Sequence, residues 1–205
     1  MATVSSKTLE IVAGPNGSGK TSFANSYFKA NRFKTSFINA DIVASGLASG
    51  REELAAFRAG RIVLSAVKEK LKNFESVAFE STLSGKTWLP LVRRAKEQGY
   101  CVTVYFLFLK DVRLNIRRIE KRVRLGGHSV PTTAVKRRYP RSFQNFWHLF
   151  RPLCDHWYVF DNSSQKPKRL MRKGQWENLP EEAHNAFEVS FLEKSKLKNG
   201  KKKTG

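Results

Sequence analysis

Gly14-Pro15-Asn16-Gly17-Ser18-Gly19-Lys20-Thr21 matches the pattern G-x-x-x-x-G-K-[ST] at every required position. Glycines without side chains let backbone N–H groups turn inward and surround a phosphate. Lys20 neutralises β/γ oxygens, and the Thr21 hydroxyl faces a Mg²⁺ ion. Ser22 follows as a further triphosphate contact. The context agrees with the pattern. Thr8 to Ala13 reads as a short apolar strand before the loop, and Thr21 to Phe28 as an amphipathic helix behind it. A strand, a glycine-rich loop and a helix in that order predict an α/β protein that binds a nucleoside triphosphate, with ATP and Mg²⁺ as the expected cofactors.

Working outward, Thr35 to Asp41 reads as a second strand ending on a carboxylate, with a helical run from about Ile42. Ligands of open α/β sheets bind at the carboxyl ends of strands, so Asp41 can face the same crevice as the phosphate loop; capping the next helix is its alternative role. Glu52 to Asn73 has helical periodicity. Ser76 to Thr82 is an apolar strand closed by Glu80, Ser81 and Thr82. Of the two strand-end carboxylates, one can accept the proton of an attacking hydroxyl, and the other can orient substrate or hold a water on Mg²⁺. Lys86 to Gln98 reads as a helix stopped by Gly99, and Tyr100 to Leu109 as a central strand buried on both faces.

A strongly basic helix follows, with Arg113, Arg117, Arg118, Lys121, Arg122 and Arg124 among apolar residues. Gly126-Gly127 breaks it and Pro131 ends the irregular stretch. A further helix starts near Thr132, with Pro140 expected to bend or end it before Phe143 to Phe150 resumes. Arginines around a glycine-rich connection suit a lid, here residues 122–141, that brings guanidinium groups to a transferring phosphoryl; a solvated basic face is the bland alternative. Trp157 to Asp161 is the last core strand, and the Asn162-Ser163-Ser164 turn can border an adenine. Lys168 to Gly174 reads as an edge strand and turn, and Pro180 to Leu192 as a closing amphipathic helix.

The chain has 205 residues, a formal net charge of +21, 15 Phe and 4 Trp, which suits one domain over residues 1–192 and a basic tail over 193–205 without apolar periodicity. The charge predicts attraction to polyanions, including nucleic acid. No apolar run reaches the length of a bilayer-crossing helix, and Met1 to Lys7 lacks the apolar core of a secretion signal. Cys101 and Cys154 read as reduced core thiols, giving a cytoplasmic expectation without membrane contact.

The ordered set of the phosphate loop through Ser22, Asn39-Ala40-Asp41, Phe79-Glu80-Ser81-Thr82, Arg122 to Pro131, Arg137-Arg138-Tyr139 and Asp161-Asn162-Ser163 resembles the zeta toxin family of P-loop kinases, over about Leu9 to Gly174. The resemblance implies a three-layer α/β/α fold with a five-stranded, mostly parallel sheet of nucleotide-kinase type. It also implies ATP-dependent phosphorylation of a small hydroxyl-bearing acceptor such as a UDP-N-acetyl sugar, and an antitoxin partner. Carried over by position, Asp41 is the base, Lys20 and Thr21 contact triphosphate and Mg²⁺, and Arg122 clamps the transition state. Glu80 and Thr82 hold the substrate, with Glu80 also near the metal. Leu83-Ser84-Gly85-Lys86 departs from the glycine and arginine of plasmid-borne toxins, and Gly126-Gly127-His128 stands where those have a second arginine. Arg124 is then a candidate ATP contact, and His128, Arg137 and Arg138 are candidate substrate contacts. A nucleic-acid-binding ATPase and a 5′-hydroxyl nucleic-acid kinase are the alternative readings.

Overall fold

The computed structural model describes residues 7–30, 36–38, 52–164, 166–172 and 175–176. Asp41, the helical run from Ile42, the Pro180 to Leu192 segment and the basic tail lie outside the described residues. In chain order the elements are β1 (Thr8–Ala13), α1 (Lys20–Ala30), β2 (Ser36–Ile38), α2 (Glu52–Lys72), β3 (Val77–Ser81), α3 (Leu89–Glu97) and β4 (Cys101–Phe108). Then come α4 (Val112–Arg124), α5 (Thr132–Asn145), a π-helical turn (Phe146–Phe150), a 3₁₀ turn (Arg151–Leu153), β5 (His156–Asp161), β6 (Lys168–Arg172) and β7 (Gln175–Trp176). No helix among the described residues is long and apolar enough to cross a membrane.

One sheet runs in the order β2-β3-β1-β4-β5-β6-β7. The first five strands are mutually parallel, as expected, and β6 and β7 extend the sheet antiparallel, so among the described residues it has seven strands rather than five. The reversal at β6 has a simple cause: residues 162–167 are too few for the crossover that a parallel return needs. β1 sits between β3 and β4, and the chain leaves it first toward one side of the sheet and later toward the other. The phosphate loop therefore occupies the topological switch point, where open α/β sheets bind ligands.

Strand alternation sorts side chains onto two faces. Leu9, Ile11, Val77, Phe79, Val104, Phe106, Phe108 and Val159 pack in one core with Val63 and Val67 of α2, Val92 and Ala95 of α3, and Tyr139, Phe143, Phe146 and Phe150. On the other face Val12, Tyr105 and Leu107 meet Ala24, Phe23 and Tyr27 of α1, with Tyr158 and Phe160 alongside. β4 is buried on both faces, as its apolar run predicts. Glu10 shares the α1 face and is 3% exposed. Burial raises its carboxyl above the usual range, against a hydrogen bond with Tyr105 that pulls it down. The Tyr105 hydroxyl in turn lies 3.1 Å from that of Tyr27, and burial raises its pKa too.

Three local outcomes follow from single residues. Pro90 falls in the first turn of α3, where its missing N–H costs nothing, and the helix starts at Leu89, three residues later than the sequence predicts. Gly99 ends the helical region at φ 78°, as its type suggests. Pro140 does not end its helix: α5 runs unbroken from Thr132 to Asn145 with the proline inside. An interior proline costs about 3 kcal/mol. Its neighbours outweigh this: Tyr139 donates its hydroxyl proton to Leu109 O at 2.6 Å, and Phe143 sets its edge against Phe106 and Phe108. Burying two such side chains contributes about 1.5–3 kcal/mol each.

Both cysteines are free and partly buried, and burial pushes the Cys154 thiol up to about 12.

Candidate functional site

The phosphate loop is held by close contacts that only glycine permits, two to backbone and one to a side-chain amide. A Cβ on Gly14, at φ 140°, would stand 1.9 Å from Leu107 O; on Gly17, at φ 78°, 2.6 Å from Asn115 O; on Gly19, at φ 87°, 2.4 Å from Asn162 Nδ2. Two side chains from outside the loop clasp it. Asn115 of α4 donates from Nδ2 to Asn16 O at 2.7 Å, and Asn162, just past β5, donates from Nδ2 to Ser18 O at 2.8 Å. Arg118 then donates from Nη2 to Asn162 O at 2.9 Å, tying α4 to the end of β5. Lys20 reaches back to Pro15 O at 3.1 Å.

Thr21 Oγ1 donates to Glu80 Oε2 at 2.9 Å. A buried carboxylate and a hydroxyl side by side at the mouth of a glycine cradle form an all-oxygen donor set suited to Mg²⁺ beside a triphosphate. The Ser18 hydroxyl, fully buried and without a hydrogen-bond partner among the described residues, supplies one more polar group within the loop.

These groups open onto one cleft of about 1530 Å³. Asn16, Gly17, Gly19, Lys20, Thr21 and Ser22 line its donor end. Glu80, Thr82, Arg122, His128, Arg137 and Arg138 line it as well, so most of the sequence-predicted site residues share one space. Gly14, Pro15 and Ser18 belong to the loop without lining the cleft. Arg124 does not join them: it is exposed on α4 and does not line the cleft. Asp41 lies outside the described residues. Among the described lining residues Glu80 is the one carboxylate, against Lys20, Arg61, Arg118, Arg122, Arg137 and Arg138. Such a cleft favours anionic ligands.

The glycine pair after α4 serves Arg122. Gly126 turns at φ 83°, Gly127 N–H donates to Arg122 O at 2.9 Å, and a Cβ on Gly127 would stand 2.5 Å from Arg122 Cγ. The chain folds back over the arginine, and Arg122 Nη2 donates to His128 O at 2.7 Å. Just past β3, Leu83 is held at φ 49°, a conformation costing about 1–2 kcal/mol, while Asn145 of α5 donates to its carbonyl at 2.7 Å. Thr82 Oγ1 and Ser84 Oγ lie 2.9 Å apart, and Trp88 stacks on Phe79 beside them.

The sequence reading missed Arg118, Asn115 and the structural use of Asn162. Asn115 had a legible signal: it lies four residues from Ile119 on the packed stripe of α4, where a polar residue needs a partner.

No protein-family model matches this chain. A Haemophilus influenzae protein described as uncharacterized is 32% identical over 126 residues, covering 62% of this chain and 88% of its own length. Solved structures give the fold. The chromosomal toxin–antitoxin system PezAT of Streptococcus pneumoniae superposes with a TM-score of 0.60 at 16% identity, covering 98% of this chain and 86% of that one. The AvrRxo1-ORF1:AvrRxo1-ORF2 complex gives 0.66 at 15% identity, covering 89% and 63%, and the Pnkp1/Rnl/Hen1 RNA repair complex gives 0.57 at 23%, covering 71% and 47%. This chain thus spans less than two thirds of the length of the AvrRxo1 and RNA-repair chains. The chain belongs to the same family as the Haemophilus influenzae protein, and it shares its fold with the PezAT and AvrRxo1 structures.

Proposed function

We propose that this protein is an ATP-dependent kinase that transfers the γ-phosphoryl group to a hydroxyl of a small acceptor, with a sugar nucleotide as the leading candidate. The observation that carries the reading is the joining of two half-sites in one cleft. A phosphate loop with Lys20 and the Thr21–Glu80 pair forms one end, and a wall of arginines spans α4 and α5. Motors and switches need the first half alone; a transferase needs a second chamber, and the cleft volume exceeds the roughly 300–1,000 Å³ of a single-ligand site.

Lys20 would leave Pro15 O to neutralise β/γ oxygens, while the loop N–H groups hold the β-phosphate. Thr21 and Glu80 would hold Mg²⁺, which supplies charge neutralisation on the phosphate oxygens when bound. Asp41, three residues past β2 in sequence, would take the proton of the acceptor hydroxyl. The acceptor oxygen then bonds to the γ-phosphorus as the bond to the β–γ bridging oxygen breaks, and ADP leaves. Arg122, Arg137 and Arg138 would stabilise charge on the transferring group, with residues 122–141 acting as the lid. Glu80, Thr82 and His128 would orient the acceptor. The toxin–antitoxin neighbours support an antitoxin as a partner, and the AvrRxo1 complex solved with ATP supports ATP as the donor.

The Asp41→Asn variant separates transfer from binding. It is expected to keep nucleotide affinity within about threefold and lose transfer by roughly 10²–10⁴; undiminished transfer would overturn the base assignment.

A further inference from the structure

We propose that the outward faces of α4 and α5 form a docking ridge for a nucleic-acid backbone, running up to the rim of the phosphoryl-transfer cleft. Between residues 110 and 145 eleven Lys and Arg stand against Asp111 and Glu120 alone. Some of these cations are already engaged: Arg113 is paired with Asp111, Lys110 lies 3.8 Å from Asp161, and Arg118 and Arg122 point into the cleft. Arg117, Lys121 and Arg124 of α4, with Lys136, Arg137 and Arg141 of α5, remain exposed, and none has a carboxylate within 4 Å among the described residues.

A cluster of like charges with so few carboxylates near it costs self-repulsion, which an anionic partner would relieve. Residues 117, 121 and 124 follow a four- and three-residue spacing, one stripe of the helix with a cation about every 5–6 Å. Residues 137 and 141 repeat that spacing on α5, which packs against α4. A polymer carrying one phosphate every few ångströms can engage such a repeat at several points; a single small anion cannot. Arginine dominates the ridge, and its planar fork suits phosphate oxygens. Exposed aromatic residues are absent from both helices among the described residues, so contact is to the backbone and carries no sequence preference. A lipid surface is the poorer fit: only Val123 and Leu125 are exposed large apolar residues here, too few to form an inserting face. Arg137 both lines the cleft and is exposed, so the ridge reaches the cleft rim.

The test titrates the full chain into a fluorescent RNA of about 20 nucleotides and a DNA duplex of equal length between about 50 and 200 mM salt. One variant combines Arg117→Glu, Lys121→Glu, Lys136→Glu and Arg141→Glu. A second changes the net charge equally on α2 and α3, away from the cleft lining, through Lys68→Glu, Lys72→Glu, Arg93→Glu and Arg94→Glu. The wild-type chain is expected to bind with steep salt dependence. The ridge variant should bind at least about 100-fold more weakly, with the log–log salt slope reduced by about 3, while the control loses less than about tenfold. The four alanine substitutions on the ridge give the same direction with a smaller loss, should the reversed charges impair folding. Equal loss in both charge variants, retained affinity in the ridge variant, binding to phosphatidylserine vesicles in place of nucleic acid, or no nucleic-acid binding at all would each overturn the proposal.

Discussion

The two walls of the cleft are built by opposite means. The phosphate loop is fixed by backbone: three glycines at positive φ, each pressed against a neighbouring backbone or amide group, and two asparagines donating to loop carbonyls. The α4–α5 wall is built from long side chains, those of Arg118, Arg122, Arg137 and Arg138. A backbone-built site tolerates almost no substitution, because an added methyl meets an atom that cannot move. A wall built from side chains can exchange one arginine for another, so under the proposed function the first wall fixes the chemistry and the second fixes what enters.

This contrast is open to attack by mutation. The largest effect is expected from Lys20→Ala, which removes the cation proposed to neutralise the β/γ oxygens: transfer should fall by roughly 10²–10³ or more in single-turnover assays, with the fold intact. Gly14→Ala should act on stability. Its methyl would overlap Leu107 O, and overpacking costs about 1–3 kcal/mol before the positive-φ cost is added. A drop of roughly 5–10 °C in melting temperature follows. Arg137→Ala, on the other wall, should change melting by less than about 2 °C and weaken transfer by only about tenfold; if Gly14→Ala and Arg137→Ala behave alike, the contrast fails.

A subtler case is Asn162→Ala, which removes the clasp on Ser18 O and the roof over Gly19. Each such hydrogen bond contributes about 1 kcal/mol, so apparent ATP affinity should fall roughly five- to tenfold with little change in the acceptor KM. The smallest effect lies under the loop. Glu10 has a raised carboxyl pKa in the folded chain, so the folded state holds more protons than the unfolded one, and stability falls as pH rises from the ordinary glutamate value through the raised one. Glu10→Gln should therefore melt higher than the wild type at pH 8 and lose that advantage near pH 4, as thermal scans across pH would register.

The backbone-built half was also the half that could be read in the sequence. Glycine spacing encodes loop geometry directly, so Gly14 to Thr21, the flanking strand and helix, and the core strand segments followed from local pattern, while their parallel arrangement followed from the family resemblance. Gly99 and the Glu80 strand end followed for the same reason. What escaped depends on tertiary contact. Pro140 violates local propensity and survives because Tyr139 and Phe143 anchor the helix around it. Arg118 and Arg124 carry the same periodic signal on α4, yet their phase on the helix brings Arg118 to Asn162 and leaves Arg124 exposed. Of the two antiparallel strands, β6 was legible as the Lys168 to Gly174 edge strand, whereas β7 escaped because pairing of so short an edge depends on the strand already beside it.

The central claim is that the loop and the arginine wall together serve transfer to an acceptor. Its most direct test incubates the protein with ATP and Mg²⁺ against UDP-sugars, nucleosides and 5′-hydroxyl oligonucleotides, following each acceptor by mass. The account predicts that one acceptor, from the small-molecule set, gains a single phosphoryl group in step with ADP formation, and that Lys20→Ala abolishes the gain. ADP and free phosphate appearing at the same rate with every acceptor unchanged would contradict it.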